Sequence, residues 1–261
     1  MSESGSLKRA FVTGFYSQLR KLAKLLLHAG KAATGGHIEK PEFVAISDKN
    51  VAYLVVSKAA CSSIKKSMVA GIVNDDIEDN YSIHQNQKVA ELTVRGRLPD
   101  ADRYHVFTYV RNPFSRIVSS YINKFEDFEK IRMVGFEYAD YLGGYLKMSD
   151  SFSVFVDKIC NIPDRLSDRH FMAQHYLIHT LSPVVPEQIE KLEEIESSFP
   201  AFTQKYGFGD IPHFNRTGGY NYEDYYSSVE MVDQVYRRYR DDVEHFGYQA
   251  EYERLRSRFE V

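Results

Sequence analysis

The chain has 261 residues, 43% of them hydrophobic and 26% charged, with a formal net charge of −3. That is apolar material enough for one substantial core, and the charge balance excludes a generally basic nucleic-acid binder, so any anion site has to be built locally. Two cysteines, Cys61 and Cys160, exclude a disulfide framework, and nine scattered histidines with no HExxH or Cys/His array point away from a structural metal.

The first segment, Leu7 to Lys31, carries Lys8, Arg9, Arg20, Lys21, Lys24 and Lys31 and no acidic residue, while Phe11, Phe15, Leu19, Leu22 and Leu26 recur at helical spacing. Two readings stay open: an interfacial helix with an apolar and a basic face, or a helix packed on the domain. No apolar run approaches the roughly 20 residues of a membrane span. Ala32 to Pro41, with small residues and paired glycines, reads as a linker. Residues 1–36 are thus expected to form a basic amphipathic segment and linker, and 37–261 a single domain.

Val51 to Val56 is a short, β-branched apolar run of the kind that forms a buried strand. Ser62 to Val73 has Ile64, Met68 and Ile72 at steps of four and reads as a helix. Between them stands "SKAACSS", a turn with the outline of a phosphate loop but no glycine. The same unit recurs: Tyr104 to Val110 reads as a second buried strand, Pro113 suits a first helical turn, and Phe114, Ile117, Val118, Tyr121, Ile122 and Phe125 mark one helix face. A polar segment, Asn74 to Asp102, lies between the two units and holds His84. Phe152 to Ile159 and Glu187 to Phe199 read as helices, with "YLIHTL" (Tyr176 to Leu181) a strand between them. The last long helix starts near Ser227 or Ser228, buries a stripe from Val232 to Phe246, and stops at Gly247. Strands alternating with helices imply an α/β fold with a central parallel sheet flanked by helices, and ligands in such sheets bind beyond the carboxyl ends of the strands.

Both strand–turn–helix junctions carry anion-binding chemistry. The first offers Lys58, the small residues Ala59 and Ala60, and the amides and side chains of Cys61, Ser62 and Ser63 at a helix start. The Walker pattern GxxxxGK[ST] is absent. The second offers Arg111, suited to forked phosphate contacts, and Ser119 eight positions on. Arg116 is either a further ligand or a surface partner for a carboxylate. Two anion sites at neighbouring strand ends suit a ligand phosphorylated at two separated places.

"VVSKAACSSIKKSM" and "FTYVRNPFSRIVSSYINKF" together resemble the two nucleotide motifs of the carbohydrate sulfotransferases, approximately PKxACTxWKR and VRxPFxRxxSAYxxKF, in the branch of the chondroitin sulfotransferases. The first motif departs at Ser57, where proline is usual, and at Ile64, where tryptophan is usual. "RHFMAQ" (Arg169 to Gln174) is similar to the family's HWxPQ, "IPHFNRT" (Ile211 to Thr217) to PxxNxT, and "VYRRYRDDVEHFGY" (Val235 to Tyr248) to VYxxYxxDxxxFGY. The resemblance spans roughly residues 50 to 248, a single domain of ordinary size.

The resemblance implies a parallel α/β sheet related to P-loop nucleotide kinases. It implies 3′-phosphoadenosine 5′-phosphosulfate (PAPS) as donor and its desulfated form (PAP) as product, with no metal. It places Lys58 and Cys61 to Ser63 at the 5′-phosphosulfate, Arg111 and Ser119 at the 3′-phosphate, and Asn215 and Thr217 where the nucleotide site closes. The acceptor is a carbohydrate hydroxyl, on a polysaccharide or glycolipid. Its general base is expected to be His84, with His170 as runner-up and Gln174 beside it as an acceptor-orienting group. Lacking an apolar span, the chain is expected to be a bacterial-type cytoplasmic member, peripheral on the inner membrane face through residues 7–31. The rival readings are a kinase-like phosphotransferase and a non-catalytic nucleotide-binding module; the oligomeric state is not legible.

Overall fold

The computed structural model describes residues 3–72, 83, 86–211 and 220–260, and the side chains within these except those of 3–17, 130 and 134. In chain order the elements begin with α1 (Glu3–Ala33), β1 (Glu42–Ile46), β2 (Val51–Leu54), α2 (Cys61–Ala70), α3 (Gln87–Leu92) and β3 (Thr93–Arg95). They continue with β4 (His105–Val110), α4 (Pro113–Tyr121), α5 (Phe128–Val134), α6 (Phe152–Cys160), α7 (Gln174–Tyr176) and β5 (Gln188–Lys191). The last are α8 (Ile195–Tyr206), α9 (Val229–Arg238), α10 (Arg240–His245) and α11 (Gln249–Ser257). The chain forms two compact units: one of Met1–Ile38 with Tyr121–Ser167, the other of Glu39–Ser120 with Asp168–Val261.

The second unit is built on a five-stranded sheet in the order β3-β1-β2-β4-β5. β2, β4 and β5 pair in parallel, while β1 is antiparallel to both its neighbours. The expected parallel sheet is therefore mixed, and the departure is local. β1 and β2 are joined by a tight turn, Ser47–Lys49, closed by Asn50 in the left-handed conformation that asparagine tolerates. Such a short connection can only reverse direction. One face of the sheet (Val44, Ile46, Val51, Tyr53, Phe107 and Tyr109) packs against Ile64 and Met68 of α2 and Ile195, Phe199 and Phe202 of α8. The alternate residues Phe43, Leu54, Val106 and Val110 are buried too, so both faces are covered.

Lys49 draws the ends of α2 and α8 together. Its ammonium donates to the carbonyls of Gly71 (3.4 Å), Gly207 (3.3 Å) and Tyr206, the terminal acceptors that a helix leaves unsatisfied. The backbones approach so closely that a Cβ on Gly71 would lie 2.1 Å from the Gly207 carbonyl oxygen.

Three expectations are corrected. Leu177–Leu181 is a π-helical turn, not a strand: Leu177, Ile178 and Leu181 have helical spacing, and no alternation supports an extended run. Gln188–Lys191 is strand β5, and the helix begins only at Ile195. β5 is an edge strand with one neighbour, so it can carry Gln188, Glu190 and Lys191. The last long helix starts under the cap of Ser228, whose hydroxyl accepts the Met231 N–H at 3.3 Å, but breaks at Tyr239 into α9 and α10. The Tyr239 hydroxyl donates to the Phe171 carbonyl oxygen at 2.6 Å.

In the first unit, Ser151 caps α6 through the Val154 N–H, and Tyr121, Phe125, Phe152 and Phe155 form an aromatic cluster. α1 packs there on the segment Tyr141–Gly144, with Arg20 paired to Asp140 at 2.5 Å. Among the described residues no helix is long and apolar enough to cross a membrane.

Candidate active site

The parallel trio β2, β4 and β5 brings three strand ends side by side, and each is followed by a polar junction. Thr108 fixes the first pair by donating its hydroxyl to the Leu54 carbonyl oxygen at 2.7 Å. After β2 the chain turns through Ser57–Ala60 into α2. Lys58 (φ +67°) and Ala60 (φ +60°) both adopt left-handed backbone, which glycine enters without cost and other residues enter at about 1–2 kcal/mol. The turn thus holds the shape of a glycine-rich phosphate loop without the glycines. It leads into the α2 start at Cys61–Ser63, where first-turn amides and the positive end of the helix dipole favour an anion.

After β4 comes Arg111. Its Nη1 donates to the carbonyl oxygen of Lys58 at 3.2 Å and its Nε to Ser115 Oγ at 2.9 Å. The two junctions are therefore physically joined: one guanidinium grips the backbone of the other's turn. Ser119 lies one helical turn beyond Ser115 on the same face of α4 and is buried. The Arg111 peptide is locked by Gln174, which accepts from its N–H and donates to its carbonyl, both at 2.8 Å. Gln174 is wholly buried and so acts on Arg111, not on an acceptor. Behind it, the buried Asp242 accepts from the amides of Gln174 (3.0 Å) and His175 (2.7 Å). Burial raises the Asp242 pKa, against the opposing pull of those amides and of the Arg116 charge.

After β5 comes Glu193. It accepts the Asn112 N–H at 2.9 Å and the Tyr248 hydroxyl at 2.9 Å, bracing the start of α4. Burial and the Glu193 charge together raise the Tyr248 pKa well above its ordinary value.

Arg116 is a core residue and not a surface one. It is 1% exposed and donates to three carbonyl oxygens: Ser57 at 2.9 Å, Met172 at 2.8 Å and Arg169 at 3.0 Å. The expectation of a surface pairing fails because the residue faces inward from α4, where loop carbonyls need donors. Arg116 thereby ties the Lys58 turn to the loop that carries His170, and Ser120 adds a bond to the His170 carbonyl at 2.9 Å.

His170 has an orienting partner. Asp168 Oδ1 accepts from His170 Nδ1 at 2.6 Å and from its backbone N–H at 2.9 Å. Burial alone would raise the Asp168 pKa, but the charge and hydrogen bonds of His170 outweigh it and hold the carboxyl at about 2. An ionised Asp168 keeps the proton on Nδ1, leaving Nε2 as the nitrogen that takes up a proton. Beneath the same loop, buried Glu42 gathers Lys65 (2.6 Å), Arg169 (3.0 Å) and Arg95 (3.2 Å).

Lys58, Ala59, Ala60, Cys61, Ser62, Ser63 and Arg111 thus follow the carboxyl ends of β2 and β4, and Ser119 lies further along α4, one turn beyond the Ser115 that Arg111 contacts. His84, Asn215 and Thr217 lie outside the described residues. Ser115, Gln174 as a peptide lock, Asp242 and Glu193 are the contributors that sequence reasoning missed. Only Ser115 had a readable signal, its four-residue step to Ser119.

A family model described as the sulfotransferase family matches residues 41–249. No curated protein and no solved structure matches the chain. The matched span runs from just before β1 to the first residue of α11 and takes in both strand–turn–helix junctions and the His170 loop. The chain belongs to the sulfotransferase family.

Proposed function

We propose that the protein transfers a sulfuryl group from PAPS to a hydroxyl of a carbohydrate acceptor. The observation that carries this reading is the Arg111–Lys58 bond: two cationic junctions at neighbouring parallel strand ends form one site with two anion-binding poles. The Lys58 turn and the start of α2 suit the 5′-phosphosulfate; Arg111, with Ser115 and Ser119 along one helix face, suits the 3′-phosphate. The family resemblance of "IPHFNRT" is what assigns Asn215 and Thr217 to this nucleotide site.

The reaction is an in-line displacement. The acceptor oxygen forms a bond to sulfur as the bond from sulfur to the 5′-phosphate oxygen breaks, and the acceptor proton passes to a base. Lys58 offsets charge developing on the leaving phosphate oxygen. The transferred group carries less charge than a phosphoryl group, so the reaction is expected to proceed without a divalent cation. Of the two candidate bases, His170 is favoured over His84 by its carboxylate partner, Asp168, which orients the ring and stabilises the imidazolium that forms. The reading extends to a cytoplasmic enzyme meeting a polysaccharide or glycolipid acceptor at the inner membrane face.

The test is a panel of glycan acceptors incubated with radiolabelled PAPS, alongside calorimetry with PAP. Transfer to at least one glycan, and PAP binding weakened by Arg111→Ala, are expected. Tight PAP binding with no transfer to any acceptor would leave a nucleotide-binding module instead.

A further inference from the structure

Asn112, the residue after Arg111, is 4% exposed, and each of its polar atoms has a partner. Its N–H donates to Glu193 at 2.9 Å, and its side-chain oxygen accepts the Phe114 N–H at 2.9 Å at the start of α4. Its carbonyl accepts from Ser115 Oγ at 3.1 Å. With the hydroxyl hydrogen committed there, Ser115 Oγ meets Arg111 Nε as an acceptor, at 2.9 Å. The remaining atom, Asn112 Nδ2, reaches out of the junction and donates to the Tyr222 hydroxyl at 3.3 Å.

Tyr222 is held in turn from the C-terminal helix. The guanidinium of Arg254, on α11, spans two consecutive residues: Nη2 donates to the Tyr222 hydroxyl at 2.8 Å and Nη1 to the Glu223 carboxylate. Arg258, just past α11, reaches Glu223 (2.8 Å) and Asp224 (3.3 Å) of the same turn instead. Apart from its first residue, α11 lies beyond the span that matches the family model, so the match assigns it no part in the site.

We infer that Tyr222 and Arg254 are positioning residues for donor binding. Arg254 sets the place of the Tyr222 hydroxyl, the hydroxyl fixes the Asn112 amide, and the amide holds the Ser115–Arg111 contact at the 3′-phosphate pole. The inference rests on the sulfuryl-transfer reading for the identity of the ligand. The Arg254 side chain is 55% exposed, and an ion pair with Glu223 at such a site contributes little by itself. Its weight comes from the phenol, which gives a nearly buried amide its acceptor. Without that acceptor the Asn112 amide turns to satisfy its N–H, and the Phe114 cap and the Ser115 bond turn with it.

The test is calorimetry of the full chain with PAP, for Tyr222→Phe, Arg254→Ala, the two combined, and Arg258→Ala. Tyr222→Phe and Arg254→Ala should each weaken PAP binding by about three- to tenfold, the range that loss of one hydrogen bond gives. The double variant should bind no more weakly than Tyr222→Phe alone, because Arg254 acts through the phenol. Arg258→Ala cuts the other link between α11 and the same turn and should stay within about twofold of the native affinity, which separates positioning from a general loosening of the helix. In transfer assays the KM for PAPS should rise in Tyr222→Phe while kcat holds. Native PAP affinity in Tyr222→Phe, additive losses in the double variant, or an equal loss in Arg258→Ala would overturn the inference and leave the sulfuryl-transfer reading standing. A native chain that does not bind PAP would overturn both.

Discussion

Replacing Arg116 by lysine keeps the charge and removes the fork. The guanidinium donates to the carbonyls of Ser57, Met172 and Arg169 from three different nitrogens. A lysine ammonium is a shorter, single-centred donor, and can keep one of these bonds. Two buried carbonyls would lose charge-assisted hydrogen bonds worth about 1.5–3 kcal/mol each, for a loss of about 3–6 kcal/mol. In a chain of this size that corresponds to a fall in Tm of roughly 10 °C or more. Denaturant titration with calorimetry measures it. Because Ser57 begins the Lys58 turn, PAP affinity should fall further than in a variant equally destabilised far from the site. A stability change under about 1 kcal/mol, or unaltered PAP affinity in a folded Arg116→Lys protein, would refute the reasoning that this residue ties the turn to the His170 loop.

Ala60→Gly removes a left-handed strain and should leave stability unchanged or raise it by up to about 1 kcal/mol, whereas Gly71→Ala forces a Cβ onto the Gly207 carbonyl and should cost about 1–3 kcal/mol; thermal melts of the pair separate the two effects. Glu42 predicts an acid limb. Burial would raise its pKa, but Lys65 and Arg169 hold it at about 2. Its stabilisation, about 3 kcal/mol, is therefore complete above about pH 4.5 and lost as pH falls toward 2, a slope that Glu42→Gln should flatten in denaturant titrations at stepped pH. Asp168→Asn should lower kcat by about a hundredfold or more with little change in the KM for donor, because the imidazole loses its orienting carboxylate; an unchanged pH–rate profile would remove His170 from the role of base.

Much of this site could be read from the chain. The runs at Val51 and Tyr104 stand out because central parallel strands are apolar on both faces, and Lys58 and Arg111 follow directly from where those runs stop. The rest depends on tertiary context. β5 hides behind Gln188, Glu190 and Lys191, which an edge position tolerates. The left-handed residues Lys58 and Ala60 are invisible because the usual marker, glycine, is missing. Arg116 looks like any helix-surface arginine until the folded loops present their carbonyls to it. Gln174 and Asp242 act on Arg111 from 63 and 131 positions along the chain, a distance that no local pattern spans.

The most direct measurement of the central claim is transfer of labelled sulfuryl from PAPS to a responsive glycan, followed in parallel for the native protein, Lys58→Ala and Arg111→Ala, without added metal. The account predicts transfer by the native protein, none by either variant, and weakened PAP binding in Arg111→Ala. Undiminished transfer by Lys58→Ala, or activity that requires ATP and Mg²⁺ and ignores PAPS, would contradict it.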